Sequence, residues 1–227
     1  TVDTLILSHP NSDHLNGLIY IARYFHVKNV WTNSETHDTL GYQIFMDVVA
    51  NRKIVLPSFA DMPRSLWING VKLEFLYPPQ GFLKRVEKET WRDTNNNSLV
   101  VKVSMGSTSF LFPGDIMAAA EEELVGMAGR KLDSTVLIAP HHGSRSSSST
   151  AFLREVNPEV VVISCGRRSR FKLPHPTILK KYQHNGYAIF RTDLNGAVSL
   201  STNGQRLEIK PFFDVSNFSP QRLSRLP

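Results

Sequence analysis

Two histidines, an aspartate and an asparagine lie within six positions near the start of the chain, at His9, Asn11, Asp13 and His14. A short apolar segment precedes them and apolar residues at helical spacing follow, so the group falls where a strand gives way to a helix. Imidazole nitrogens and carboxylate oxygens are the ligands that bind ions such as zinc or manganese. A histidine pair alone would be weak support for a metal site, so the rest of the chain has to supply partners.

Metal-compatible side chains recur after two further apolar segments. Asp115 follows residues 110–112, and His141 and His142 follow residues 136–139. Loops at one rim of a sheet converge because each strand fixes where its loop begins. Taken singly, the aspartate is typical of a turn and the histidine pair of an exposed loop. In combination with the first group they predict a metal site.

The spacing of these residues leaves room for two ions. Asp13 and His14 are neighbours in a loop, so they point in different directions and can serve different ions. Asp115 follows Gly114, which permits a tight exit from the strand, and a single carboxylate there can bridge two ions. Water held between two such ions loses a proton near neutral pH and attacks a polarised electrophile.

The remaining pattern alternates strands and helices and predicts one α/β domain with a mixed sheet. An Asn-Gly pair, Asn69-Gly70, predicts a type I′ hairpin turn within residues 67–75, and residues 80–97 form a polar loop. Other strands are predicted over residues 2–7, 28–32, 98–104, 107–112, 136–139, 160–164, 188–191, 197–201 and 207–210. Helices are predicted over residues 15–25, 41–51, 117–127, 152–156 and 178–184. The domain spans residues 1–212, and residues 213–227 carry no periodicity and form a tail.

Composition narrows the class of protein. No run of eighteen apolar residues occurs in the 227, so the chain contains no membrane segment. Cys165 is the only cysteine, which excludes an intrachain disulfide and a thiolate zinc cluster, and its apolar surroundings predict a packed strand thiol. The formal charge of +6 permits a polyanionic partner, but a solvated basic surface explains it equally well.

The order of these motifs resembles the metallo-β-lactamase fold. Ser-His-x-x-x-Asp-His, Gly-Asp and Pro-His-His-Gly-Ser begin at Ser8, Gly114 and Pro140. More narrowly, the chain resembles the C-terminal domain of ComEC-type DNA-uptake competence proteins over residues 3–210. Four features carry that likeness: the Ser-His-Pro lead, the run 95–100, Phe-Pro-Gly-Asp at 112–115, and the block 139–176 with its His-Pro end.

The resemblance implies roles for individual residues. It makes His9, Asp13, His14 and His142 metal ligands and Asp115 the bridging carboxylate, with Asp13, His14 and Asp115 also catalytic. Four further residues lie near the site. Asn11 stands where the superfamily has a second histidine, Asn97 lies where its middle histidine is expected, His141 precedes the last ligand, and His175 either caps a helix or contacts substrate. An amide binds metal more weakly than imidazole, so one of the two ions binds loosely or not at all.

The same resemblance implies an αββα sandwich that lacks its first strands, because the superfamily has two or three strands before the first motif. The chain is therefore expected to be a fragment of a longer protein whose membrane channel lies elsewhere. By resemblance, that protein is associated with the bacterial inner membrane on its periplasmic side. Missing strands would leave an unpaired sheet edge prone to aggregation.

A basic segment suggests a substrate. Arg167, Arg168, Arg170 and Lys172 surround an aromatic residue, a combination that suits a phosphate backbone and a stacked base. The leading hypothesis is a zinc- or manganese-dependent nuclease domain that degrades DNA during uptake. A small-molecule ester or lactam hydrolase of the same fold and a catalytically weakened nucleic-acid-binding module remain as alternatives.

Overall fold

The computed structural model describes residues 1–167 and 171–213, which form eleven strands and six helices. The strands are β1 Val2–Ile6, β2 Val27–Trp31, β3 Ser65–Ile68, β4 Val71–Tyr77, β5 Val100–Met105, β6 Thr108–Phe112, β7 Val136–Ile138, β8 Val160–Ile163, β9 Ala188–Arg191, β10 Val198–Thr202 and β11 Leu207–Pro211. The helices are α1 Ser12–Tyr24, α2 Leu40–Asn51, α3 Ala118–Ala128, α4 Thr150–Val156, α5 Pro176–His184 and α6 Thr192–Asn195. Apart from Phe213, the predicted tail lies outside the described residues.

A seven-stranded sheet runs in the order β3-β4-β5-β6-β7-β8-β9. Its first half is antiparallel, and β6 through β9 are parallel. Parallel strands end at one edge, so the residues that follow β6, β7 and β8 emerge side by side. Two smaller sheets complete the fold: β1 pairs with β2 in parallel, and β10 pairs with β11 antiparallel.

Alternating residues give the large sheet two buried faces. Leu111, Leu137 and Val161 belong to the core formed with helices α3, α4 and α5. Val136 and Val160, one position earlier on their strands, face the β10–β11 hairpin. Because side chains on a strand alternate between faces, a continuous apolar run such as residues 160–163 is suited to a strand buried on both sides.

The β1–β2 pair forms part of the second sheet layer. Ile6 and Trp31 pack against Phe75 of β4 and against Leu99, the residue before β5. Helices α1 and α2 cover the other face of the β1–β2 pair, where Phe45 of α2 is buried. The layers are therefore helix, sheet, sheet, helix, which confirms the predicted αββα sandwich. No helix within residues 1–167 and 171–213 is long and apolar enough to cross a membrane.

Most predicted elements are present, with three local differences. The hairpin turn is type I′ as expected, since Asn69 and Gly70 both have positive φ angles of 48° and 83°. Helix α1 begins at Ser12, three residues before its predicted start, and the short α6 was not predicted. Cys165 follows the end of β8 rather than lying within the strand, although it packs on the core beneath.

The long polar loop before β5 is anchored by a buried arginine. The side chain of Arg92 is inaccessible to solvent, donates to the Tyr77 hydroxyl at 3.0 Å, and pairs with Glu89 at 2.6 Å and with Glu123 of α3. Tyr77 in turn donates to Glu123 at 2.8 Å. This network fixes the path of the chain into residues 95–98, which reach the rim of the sheet.

Candidate metal centre

The first motif spans the turn from β1 into α1. His9 lies in the connecting loop and is buried, while Asp13 and His14 occupy the first turn of the helix. The prediction of a loop for the whole motif is therefore wrong for Asp13 and His14. An aspartate in the first helical turn is favourable because the helix N-terminus carries partial positive charge. The backbone of α1 therefore sets the directions in which Asp13 and His14 point.

Asp115 reaches the same place from the end of β6. Gly114 before it has a φ of +59°, and a Cβ atom there would lie 2.7 Å from the Cβ of Ser98 and 3.2 Å from that of Ser8. Only glycine fits so close a crossing of three chain segments. Asp115 is 3% exposed, and its backbone N–H donates to Ser98 Oγ at 3.1 Å.

The third contribution comes from the loop after β7. His141 and His142 have positive φ angles of 49° and 54°, a conformation that costs energy in a residue with a side chain. Gly143 follows with a φ of +78°, and a Cβ atom added there would lie only 2.7 Å from the Cβ of Pro174. The strained turn directs His142 towards α1, since its Nε2 lies 3.2 Å from His14 Nε2.

The three loops bring one donor cluster together. Asp13, His14, Asp115 and His142 offer ligand atoms that all lie within 4.8 Å of one another. His14 Nε2 is 3.2 Å from Asp115 Oδ1, and His142 Nε2 is 3.2 Å from Asp13 Oδ2. His9 Nε2 lies 3.7 Å from Asp115 Oδ2, at the buried side of the cluster. His141 is more distant, with its Nε2 4.0 Å from the same oxygen.

Hydrogen bonds set the tautomers of two of these histidines. Ser98 Oγ donates to the Asn95 carbonyl at 2.7 Å, so it accepts a hydrogen bond from His9 Nδ1 at 3.2 Å. His142 Nδ1 lies 2.8 Å from the carbonyl oxygen of Ser164, which can only accept. Both rings therefore present an Nε2 lone pair to the cluster. Such second contacts are typical of histidines that ligate metals.

The donor set fits a divalent cation. Nε2 lone pairs facing carboxylate oxygens repel unless a proton or a metal ion lies between them. His9 Nε2 is buried and has no hydrogen-bond partner among the described residues, which leaves it available as a ligand. Two carboxylates and three imidazoles form the mixed nitrogen and oxygen set that suits zinc or manganese.

The pKa values of His9 and His14 are shifted in opposite directions. Burial, helped by the nearby His14, lowers the pKa of His9 to about 4, so its ring is neutral at pH 7. Burial opposes protonation of His14 as well, but the hydrogen bond to Asp115 and the negative charges of Asp115 and Asp13 together outweigh burial and raise its pKa. Burial raises the pKa of Asp115, but contacts with His14, His142 and His9 outweigh it and lower the pKa below its usual value. The cluster thus holds a buried carboxylate anion and at least one neutral imidazole at neutral pH.

Residues 1–167, well over half of the chain, match the sequence profile of the metallo-beta-lactamase superfamily. The chain belongs to the metallo-beta-lactamase superfamily. The resemblance predicted from the motifs is confirmed, and with it the general class of metal-dependent hydrolases.

Its curated relatives include competence proteins. Competence protein ComA of Neisseria gonorrhoeae is 36% identical over 217 residues, covering 93% of this chain and 28% of that protein. Uncharacterized protein YcaI of Escherichia coli (strain K12) is 37% identical over 205 residues, covering 89% and 24%. ComE operon protein 3 of Bacillus subtilis (strain 168) is 25% identical over 224 residues, covering 96% and 27%. The chain spans about a quarter of the length of these relatives.

Solved structures share the fold at low identity. Igni18, a metallo hydrolase from Ignicoccus hospitalis KIN4/I, superposes with a TM-score of 0.51 and 13% identity, covering 93% of this chain and 80% of that one. CmlA, a diiron β-hydroxylase from Streptomyces venezuelae, superposes with a TM-score of 0.52 and 15% identity, covering 83% and 43%. At these identities the likeness shows the metallo-beta-lactamase fold alone.

Three residues that the resemblance placed near the site have other contacts in this member of the superfamily. Asn11 is the N-terminal cap residue of α1, and its amide donates to Asn95 at 2.6 Å. The Asn97 amide nitrogen points towards Glu35, at 3.1 Å from its carboxylate. His175 caps α5, where its Nδ1 accepts from the Thr177 N–H at 3.2 Å. Of the two roles left open for His175, helix capping is present in the structure, and contact with substrate stays a prediction.

The predicted basic segment is described only in part. Arg167 and Lys172 are exposed, and Arg168 and Arg170 lie outside the described residues. Arg145 is a further exposed cation, and it was not among the residues predicted to bind phosphate. It lies in the serine-rich run after His142. A positive charge among hydroxyl groups is a sequence pattern that could have indicated phosphate binding.

The residues that orient the histidines were also missed. Ser98 contacts His9 and Asp115, and the carbonyl of Ser164 contacts His142. A serine and a backbone carbonyl carry no distinctive sequence signal for this role. Position 98 falls inside the run 95–100 that supported the resemblance, which was the only available pointer.

Proposed function

We propose that this chain is a metal-dependent nuclease domain that hydrolyses phosphodiester bonds of DNA, and that it acts in DNA uptake as part of a longer competence-type protein. Competence proteins among the relatives support the setting, and the His/Asp cluster supports hydrolysis. The rest of such a protein, including a membrane channel region, would be its partner.

The observation that carries the substrate assignment is a groove beside the metal cluster. It has a volume of about 580 Å³ and is lined by Ser144, Arg145, Ser146, Phe171, Leu173 and His175. Ser146 Oγ lies 3.3 Å from His141 Nδ1, and His141 Nε2 lies 4.0 Å from Asp115. The groove therefore begins next to the donor cluster.

The lining of the groove matches nucleic acid better than a neutral small molecule. A guanidinium and two hydroxyls are the groups that contact phosphate oxygens most often, and an aromatic ring offers a surface for a base. Arg145 is exposed, so a phosphate can approach it from solvent. An acidic or purely apolar lining would have favoured a different substrate.

The side chains of the cluster have separable roles in such a reaction. A bound divalent ion supplies charge stabilisation for the phosphoryl group and lowers the pKa of water. The side chain of Asp13 is 59% exposed, which places it to orient water arriving from solvent and to accept its proton. Asp115 is buried with its two oxygens facing different histidines, so it holds the ligands in position. Arg145 and Ser146 would bind and orient the phosphate on the groove side.

The test is cleavage of DNA by the purified chain with Mn²⁺ or Zn²⁺, on single-stranded and double-stranded substrates. We expect the wild type to cleave and the His14→Ala and His142→Ala variants to be inactive. His184→Ala is the matched control, because His184 is exposed in the last turn of α5. DNA left intact by the metal-loaded wild type would contradict the nuclease assignment. Retained DNA binding in that case would favour the weakened binding module.

A further inference from the structure

A second polar cluster lies in the loop between β2 and α2. Glu35 and His37 belong to this loop, and Asn97 reaches it from the residues before β5. Glu35 and His37 have side chains only 13% exposed, and Asn97 is fully buried. None of the three belongs to the donor cluster of the first site.

Two polar atoms in this cluster have no partner. Among the described residues, His37 Nε2 and Asn97 Oδ1 are buried and make no hydrogen bond. An unpaired buried donor or acceptor lowers stability unless something else satisfies it. The only other such side-chain atom in the described residues is His9 Nε2, which faces the first metal site. By analogy with His9, the unpaired atoms of His37 and Asn97 indicate that this cluster also binds a ligand.

Neighbouring contacts hold the cluster in place. The Tyr42 hydroxyl donates to the Glu35 carbonyl at 3.1 Å, and its ring packs edge-on against His37 with centroids 5.4 Å apart. Asn33 donates to the Asn97 carbonyl at 2.8 Å and, more weakly, to the Glu35 carboxylate at 3.4 Å. These contacts order the donors before any ligand arrives, which reduces the entropy lost on binding.

The spacing of the donors suits one metal ion. His37 Nε2 and Glu35 Oε2 are 3.7 Å apart, a gap that two ligand bonds of about 2.1 Å can span. Asn97 Nδ2 donates to the other carboxylate oxygen at 3.1 Å, and the buried, unpaired Oδ1 of the same amide is the candidate third donor. With that oxygen as the third donor, one imidazole, one carboxylate and one amide would form a set that suits zinc or manganese.

We propose that Glu35, His37 and Asn97 form a second divalent-cation site, separate from the cluster of Asp13, His14, Asp115 and His142. An ion there ties the loop after β2 to the segment that enters β5. The second site binds its ion whether or not the first site cleaves DNA, so the two proposals can fail independently.

The test counts bound ions. Wild-type chain stripped with chelator is dialysed against Mn²⁺, and the bound metal is measured by elemental analysis. We expect Glu35→Gln and His37→Ala to bind one ion fewer per chain than the wild type, while the control His26→Ala, at an exposed histidine, binds the full number. Equal metal content in the wild type, Glu35→Gln and His37→Ala would overturn the proposal.

A spectroscopic measurement on the wild type covers the case in which a variant does not fold. Mn²⁺ is paramagnetic, so an ion at this site broadens the imidazole resonances of His37 when added below one equivalent per site, and the broadening persists in His14→Ala, in which the first site lacks a ligand. The exposed His26 serves as the internal reference. His37 resonances that stay as sharp as those of His26, with Mn²⁺ in excess over both sites, would overturn the proposal.

Discussion

At the scale of single residues, ring orientation decides what each histidine can do. His9 and His142 each donate from Nδ1, to Ser98 and to the Ser164 carbonyl, and this leaves Nε2 for a cation. His141 lies beside His142 in the chain but directs its Nδ1 to Ser146. Adjacent residues of the same type therefore have different roles, and the difference arises from contacts rather than from residue type.

The single cysteine gives a pH-dependent prediction at this scale. Burial, together with donation to the Asp193 carboxylate at 3.1 Å, raises the pKa of the Cys165 thiol to about 11. The thiolate is the reactive form, so alkylation by iodoacetamide at pH 8 should be about a hundredfold slower than for a thiol with the usual pKa. The rate should rise about tenfold per pH unit up to about pH 11.

The control for this prediction removes the carboxylate. Asp193→Asn takes away a negative charge, so the pKa of Cys165 should fall and alkylation at pH 8 should accelerate. A wild-type rate profile with its midpoint below pH 9 would contradict the assignment. The measurement is made on folded protein, because unfolding exposes the thiol.

At the scale of elements, the metal cluster depends on where strands and helices end. Three loops after β1, β6 and β7 meet because β6 and β7 are parallel neighbours and the β1–β2 pair packs against the same sheet. The long loop before β5 contributes Ser98, and the buried Arg92 network anchors that loop to α3. Stability of this loop and integrity of the site are therefore coupled.

Replacement of Arg92 tests that coupling. Arg92→Met removes the buried partner of Glu89 and Glu123, which then keep only the half-exposed Arg85 as a cation. The free energy of unfolding should therefore fall by about 2–3 kcal/mol, measured by chemical denaturation. The same variant should bind metal more weakly at the first site, because the path into Ser98 is less fixed. Arg154→Met is the control, since the side chain of Arg154 is 74% exposed and its loss should change the free energy of unfolding by under about 0.5 kcal/mol. An unchanged free energy of unfolding for Arg92→Met would show that the network contributes little to the stability of the fold.

At the scale of the whole molecule, the proposed DNA substrate predicts how binding responds to charge. The chain carries a formal charge of +6, and Arg145 lies in the groove next to the metal cluster. If DNA is the substrate, long-range attraction would bring it to the surface, and the groove would fix its position relative to the cluster. Measuring affinity at increasing salt concentration separates the long-range attraction from the contacts in the groove.

DNA binding should weaken steeply as salt increases, because counterions are released from each contacted phosphate. Arg145→Ala should reduce the slope of log affinity against log salt by about one. Arg23→Ala is the control, because Arg23 is exposed in the last turn of α1, about 15 Å along the helix from Asp13. Affinity that does not depend on salt, or an equal effect of the two variants, would contradict the groove as the DNA site.

Part of this arrangement could be predicted from the sequence. Asn69-Gly70 specifies its turn because both residues tolerate positive φ, and the apolar run 160–163 specifies a strand buried on both faces. These signals are local. Helix α6 has four residues, too few to show a helical period. The predicted start of α1 was wrong because its first turn, which includes Asp13 and His14, is polar and does not show the apolar period of the rest of the helix.

The sequence by itself determined which side chains are available as metal ligands and that they follow strand ends. Only the tertiary structure decided which of them meet. His14 and His142 are 128 positions apart in the chain, yet their Nε2 atoms are 3.2 Å apart. Asn97 was expected near the same ions, but its amide is turned towards Glu35. The reason is physical: residue type and periodicity are local properties, whereas contacts between loops follow from strand order and from how the sheets pack.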